Sequence, residues 1–178
     1  MRRLPALMLG MALAGAAGAD ELTACRHLEG DYWFLGEPVE VRPGRLPLVT
    51  ANIVLTLHPS CEIGHDHRVE HYRLRLDGGA PMLELHSRDL PLARLPMATG
   101  VAEVACRDGV LSIARQRRSR AGSVYEDSRY EYRIGRADDG GLTVTTEIAG
   151  TYHGSLTSWP REAERRVVRY PPYQEAPR

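Results

Sequence analysis

Polar and apolar residues alternate with a period of two over most of this chain. In the run from His71 to Asp77, Tyr72, Leu74 and Leu76 fall on one face while His71, Arg73 and Arg75 fall on the other. Tyr130, Tyr132 and Ile134 alternate with Arg129, Glu131 and Arg133; Leu142, Val144 and Ile148 alternate with Thr143, Thr145 and Glu147. One dry face and one wet face mark antiparallel strands, because successive side chains of a strand project to opposite sides of the sheet. The same reading predicts strands at Tyr32–Val41, Asn52–Leu57, Met82–His86, Val101–Cys106, Val110–Gln116 and Arg165–Arg169.

Turn residues stand between these runs. Asp77-Gly78-Gly79, Asp108-Gly109 and Asp138-Asp139-Gly140-Gly141 supply positions that tolerate positive φ in tight hairpins. Helical spacing is hard to find. The Leu90–Met97 segment contains Pro91 and Pro96, which forbid a long helix. The expected fold is all-β: about eight or nine strands in a single antiparallel meander, closed as a small barrel or folded as a sandwich so that its edges are protected. No internal repeat and no linker interrupt residues 20–170, which read as one all-β domain. The proline-rich end, residues 171–178, reads as a disordered C-terminal tail.

The first 19 residues change the setting. Arg2 and Arg3 precede a mostly apolar run from Leu4 to Ala19 that ends in Ala17-Gly18-Ala19, and charge begins at Asp20. A basic head, a short apolar middle and a small-residue end describe a secretory signal peptide cleaved between Ala19 and Asp20. The run is shorter than the ~20 residues that a membrane span needs, and no later stretch approaches that length. The predicted product is periplasmic, with an outer-membrane lipoprotein as the alternative. In that alternative Leu22-Thr23-Ala24-Cys25 acts as a lipobox and Cys25 carries the lipid anchor.

Charge excludes one class of partner. Without the leader the chain carries 21 arginines, no lysine, and 23 Asp and Glu, so it lacks the basic footprint of a nucleic-acid-binding protein. An all-arginine basic set is what the codon bias of a GC-rich bacterial genome produces. The local cluster Arg115, Arg117, Arg118 and Arg120 precedes a Gly-Ser turn and reads as a solvated hairpin tip, with an anion or lipid-headgroup patch as the alternative.

Two stretches carry a family resemblance. The opening Cys25, Leu28, Gly30, Tyr32, Gly36, Glu37, spaced Cys-x-x-Leu-x-Gly-x-Tyr-x-x-x-Gly-Glu, resembles the start of small exported proteins of proteobacteria, many of them lipoproteins. The run Cys106, Asp108, Gly109, Leu111, Ile113 is similar to a second landmark of that group. The resemblance implies an envelope location and no particular activity. Gly30-Asp31-Tyr32-Trp33 is also similar to the Gly-x-Trp opening of lipocalin-like barrels, with the Trp one residue late. That similarity implies Tyr32 at the barrel floor and Arg165 or Arg166 packed on it.

Catalytic patterns are sparse. Gly154-Ser155-Leu156 lacks the second glycine of a nucleophile elbow, and there is no phosphate-binding glycine loop, HExxH or dinucleotide fingerprint. The paired carboxylates Glu126-Asp127 and Asp138-Asp139 sit in polar, turn-like sequence. No enzyme and no cofactor is predicted. The densest set of potential ligands is His58, Cys61, His65, Asp66, His67 and His71. On a strand, His65, His67 and His71 would share a face and could hold zinc or copper. Since Arg73 and Arg75 continue that face, the expectation is a solvated polar row first and a metal site second.

Three cysteines leave one over in an oxidising compartment. The expected disulfide joins Cys61 to Cys106, closing a loop of about 45 residues worth roughly 3–4 kcal/mol. Cys25 is then free, or competes with Cys106 for Cys61. Two functions are consistent with all this. One is a non-catalytic envelope protein that binds an apolar ligand, a partner protein or the cell wall. The other is a periplasmic metal-binding protein built on His65, His67 and His71.

Overall fold

The computed structural model describes residues 22–43, 51–57, 66–76, 80–88, 90–98 and 102–174. Among these residues eleven strands and one short α-helix form two antiparallel sheets. The smaller sheet has the order β1 (Gly30–Trp33), β3 (His71–Arg75), β4 (Met82–Ser87), β5 (Leu90–Pro96). The larger runs β2 (Glu37–Arg42), β11 (Glu164–Tyr170), β9 (Leu142–His153), β8 (Val124–Arg136), β7 (Val110–Ala121), β6 (Ala102–Arg107). A short β10 (Ser158–Pro160) pairs with β9.

The all-β expectation holds, and the alternating runs bury the faces assigned to them. Leu74, Leu83 and Leu85 of the small sheet share one core with Leu111, Ile113, Tyr132, Ile134, Leu142 and Val144 of the large one. Each such aliphatic side chain contributes about 1.5–3 kcal/mol relative to exposure. Tyrosines join the sheets: Tyr72 lies between Tyr32, at 5.5 Å, and Tyr170, edge-on at 5.8 Å. The β6–β7 hairpin turns on Asp108 (φ 51°) and Gly109 (φ 75°), as that dipeptide predicts.

A single meander is not what forms. Only β3–β5 and β6–β9 are meanders; β1 and β2, read from sequence as one strand, enter different sheets. The chain crosses at Gly36, where a Cβ would stand 2.5 Å from Val168 Cγ1 and 2.7 Å from the Arg169 carbonyl oxygen. Only a residue without a side chain passes that close to β11. The larger sheet's end strands β2 and β6 do not pair, so no closed barrel exists among the described residues.

Other expectations are corrected. Asn52–Leu57 is not a strand: Ile53–Leu57 forms a helix, α1, with Ile53, Val54 and Leu57 buried. Asn52 starts it, its Oδ1 accepting from the amides of Val54 (2.8 Å) and Leu55 (3.2 Å), the ordinary N-cap bond. Leu90–Pro96 is a strand, and its prolines sit on the sheet's edge, where ladder donors are dispensable. Residues 171–173 do not belong to a disordered tail. Pro172 bridges to Tyr32, the Trp33 amide donates to the Pro171 carbonyl, and the Tyr173 amide donates to the Asp31 carbonyl. The chain leaving β11 thereby lines the free edge of β1 and ties the sheets together.

The disulfide joins Cys25 to Cys106, Cα to Cα 5.9 Å, and not Cys61 to Cys106. The turn at Arg26–Leu28 buries Leu22, Cys25 and Leu28 against the end of the core, which brings Cys25 to β6. A Cys25 sulfur in this bridge has no valence left for a thioether-linked lipid. Cys61 and the Ala19–Asp20 junction lie outside the described residues.

The arginine expected to pack on Tyr32 is neither Arg165 nor Arg166. It is Arg136, at the end of β8, whose guanidinium lies 5.7 Å from the Tyr32 ring centre and donates to its hydroxyl. The hydroxyl in turn donates to the Leu28 carbonyl at 2.7 Å, and burial pushes the Tyr32 pKa up to about 12 despite the nearby cation.

Candidate functional site

The histidine row does not assemble. His58, Cys61 and His65 lie outside the described residues. His67 is exposed in a turn, beside Asp66, whose carboxylate is gripped by Arg68 and held well below the usual range by that bond. His71 begins β3 but is 5% exposed, so its face is not the wet one expected. Its ring stacks on His86 of β4 at 4.9 Å and is covered by Tyr173 at 4.0 Å. Asp31 stands 3.7 Å from His71 Nε2, but Arg73 holds that carboxylate in a two-pronged bond at 2.8 and 3.0 Å. Burial first, and the neighbouring His86 second, push the His71 pKa below its ordinary value. Among the described residues no three His, Cys, Asp or Glu side chains converge on a point that could hold a metal ion.

The arginine cluster has a different setting from the one its sequence suggests. β7 continues through Arg115–Arg120 to the Gly122-Ser123 turn, and β8 and β9 run alongside for twelve residues or more. Arg115 marks where the apolar core ends. It donates to the Tyr132 hydroxyl (2.7 Å) and the Leu57 carbonyl, with its guanidinium over the Tyr130 and Tyr132 rings. Beyond it the three strands form an arm with two polar faces.

On the inner face, toward the side that carries the core lower down, Arg161 is sandwiched between Glu126 and Glu164, and Glu164 accepts from Arg166 at 2.5 Å. Ser128 donates to Glu126 at 2.5 Å. Burial works against the Arg161 charge, but the Glu164 bond and the two carboxylates outweigh it and hold the pKa above the ordinary arginine range. Glu126 and Asp127 are therefore not turn residues. They lie within β8, near its start, and face opposite sides, which the alternation of Tyr125-Glu126-Asp127-Ser128 with the tyrosines of β8 would have revealed.

On the outer face, Gln116, Arg129 and Ala149 stand in one row across the strands, and Arg118, Asp127 and Thr151 in the next. Between the rows lies an open trough of about 670 Å³, floored by the strand positions of Arg117, Ser128 and Gly150. A smaller trough of about 340 Å³ continues past Glu147 and Ala149 to Arg165.

One chain of side chains on this face has the composition of a hydrolytic triad. Ser158 Oγ lies 2.9 Å from His153 Nδ1, and His153 Nε2 lies 3.3 Å from Asp127. The geometry is poorly suited to nucleophile activation. Both Asp127 oxygens sit in the Arg118 fork at 2.6 and 2.8 Å, which holds the carboxyl below its usual pKa range and takes up the charge that would support an imidazolium. The amide of Gly154, in the adjoining turn, is spent on the Thr157 carbonyl and offers no oxyanion contact. The chain ties β8, β9 and β10 together; it is a brace. Comparison with protein-family models, curated proteins and solved structures returns no match to this chain.

Proposed function

We propose that this protein is a non-catalytic, exported component of the bacterial cell envelope, an open two-sheet sandwich that acts by binding through its β7–β9 arm. The trough across the outer face of the arm carries the reading: arginines from β7 and β8 with the small side chains of Ala149 and Thr151 make a concave, polar surface away from the core. Guanidinium groups arranged across neighbouring strands suit a partner bearing carboxylate or phosphate groups. The Cys25–Cys106 bridge supports export, because disulfides persist in oxidising compartments.

The test begins with expression of the full chain in a bacterium and osmotic release of its periplasm. The expected product is periplasmic, starts at Asp20 and is oxidised at Cys25 and Cys106 by intact mass and peptide mapping. Native mass spectrometry of that product should show a retained anionic ligand that Arg118→Glu with Arg129→Glu removes. A reduced cytoplasmic chain overturns the envelope reading, and a retained ligand indifferent to both charge reversals overturns the trough.

A further inference from the structure

The distal end of the arm has exposed apolar side chains that neither the core nor the trough accounts for. Tyr125 pairs with His153, and His153 with Ser158, so the β7–β8 turn and the β9–β10 turn lie side by side at one end of the molecule. Seven large apolar side chains are prominently exposed among the described residues, and three of them, Tyr125, Leu156 and Trp159, are at this end. Leu156 is 95% exposed at the apex of its turn; Tyr125 and Trp159, at 43% and 42%, flank it on opposite faces of the sheet.

The tip is held in shape. Its turn is closed by the Gly154 amide donating to the Thr157 carbonyl at 2.8 Å. The Trp159 ring lies so close over that turn that a Cβ on Gly154 would be 3.2 Å from Cζ3, and Tyr152 supports the ring at 5.9 Å. Leu156 is thus projected outward by a hydrogen-bonded turn, with nothing among the described residues covering it.

Charge at this end is unbalanced. Asp127 is neutralised by Arg118 and Glu126 by Arg161. Arg117 and Arg120 have no carboxylate partner among the described residues; Arg120 donates to the Gly122 carbonyl and its guanidinium lies 5.1 Å from the Tyr125 ring centre. An apolar apex, amphipathic aromatic rings with Arg120 level with Tyr125 in the strand register, and Arg117 three residues further back along β7 suit the layers of a lipid leaflet: acyl chains, interface, headgroup phosphates.

We propose that the arm's tip docks on an anionic lipid surface, with Leu156 inserted, Tyr125 and Trp159 at the interface, and Arg117 and Arg120 on headgroup phosphates. The proposal takes the arm as the binding element, as above, and names its partner. It is tested separately from export because vesicle binding uses purified protein, and separately from the trough by Leu156→Asp, because Leu156 does not line it.

The experiment is co-sedimentation of the mature protein with vesicles of phosphatidylcholine alone and of phosphatidylcholine mixed with phosphatidylglycerol. Trp33→Phe leaves Trp159 as the sole tryptophan, and its emission reports insertion. Binding to the anionic vesicles, weakened by salt and accompanied by a blue shift, is expected. Leu156→Asp should weaken it about tenfold or more, as for removing one leucine side chain from an apolar layer. Arg117→Glu with Arg120→Glu should abolish the preference for phosphatidylglycerol. Both variants change exposed side chains, and unchanged melting temperatures verify their folding. Wild-type protein left in the supernatant with both vesicle types, or Leu156→Asp bound as tightly as wild type, overturns the proposal, even if the tip is then found to hold another protein.

Discussion

Cys25 and Cys106 are 81 residues apart in sequence and bonded in space, the first in the turn that opens the described chain and the second on β6 at the edge of the larger sheet. The bond fixes the segment that carries Leu22 and Leu28 into the core to the edge strand of the larger sheet.

Removing that bond should be costly. A loop of this length implies roughly 4 kcal/mol of stabilisation through the restricted unfolded chain. Cys25→Ser with Cys106→Ser is expected to lose about that much in denaturant unfolding, while Cys61→Ser leaves the oxidised protein's stability nearly unchanged. Loss of stability with Cys61→Ser instead would point to the other pairing.

Tyr32 of the smaller sheet and Arg136 of the larger one are bonded directly. Tyr32→Phe deletes an acceptor for Arg136 and the donor to Leu28, and should cost about 1–2 kcal/mol. Arg136→Met should cost a similar amount, with the double variant less than additive, since both remove one interaction. Additivity in chemical denaturation would show the two residues to be uncoupled.

At Gly36 the obstacle is backbone. An added methyl group meets the Arg169 carbonyl as well as Val168, and the carbonyl belongs to a strand paired on both sides. Gly36→Ala is therefore expected to destabilise by about 1–3 kcal/mol through overpacking. An unchanged melting temperature would mean that the β1–β2 crossing has room to move.

His71 sets a pH dependence. Above its ordinary pKa of 6.5 it is neutral in both folded and unfolded chains. As the pH falls through 6.5, the unfolded chain takes up a proton that the folded chain resists, so stability declines until the pH passes the lower folded value. Melting temperature should fall between pH 7.5 and 5, and His71→Gln should flatten that slope. Identical slopes would show that His71 takes up its proton equally in the folded and unfolded chains.

Much of this was legible beforehand. Alternation around Tyr72, Tyr132 and Val144 placed strands and their dry faces, because a period of two is a local property of residues that half-bury themselves. Asp108-Gly109 fixed its own hairpin, since both residues tolerate positive φ.

What escaped detection depended on distant residues. His71 looks solvent-facing until Tyr173, a hundred residues later, covers it. Asn52–Leu57 has a strand's composition, yet Asn52 caps a helix whose buried residues fill the core. Cys106 could take either of two partners in sequence; the turn at Arg26–Leu28 brings Cys25 to it. The length of the β7–β9 arm and the meeting of its two turns follow from register between strands. Pattern along a chain reports which way each side chain faces. Tertiary packing decides what stands opposite it, because that neighbour comes from elsewhere in the chain.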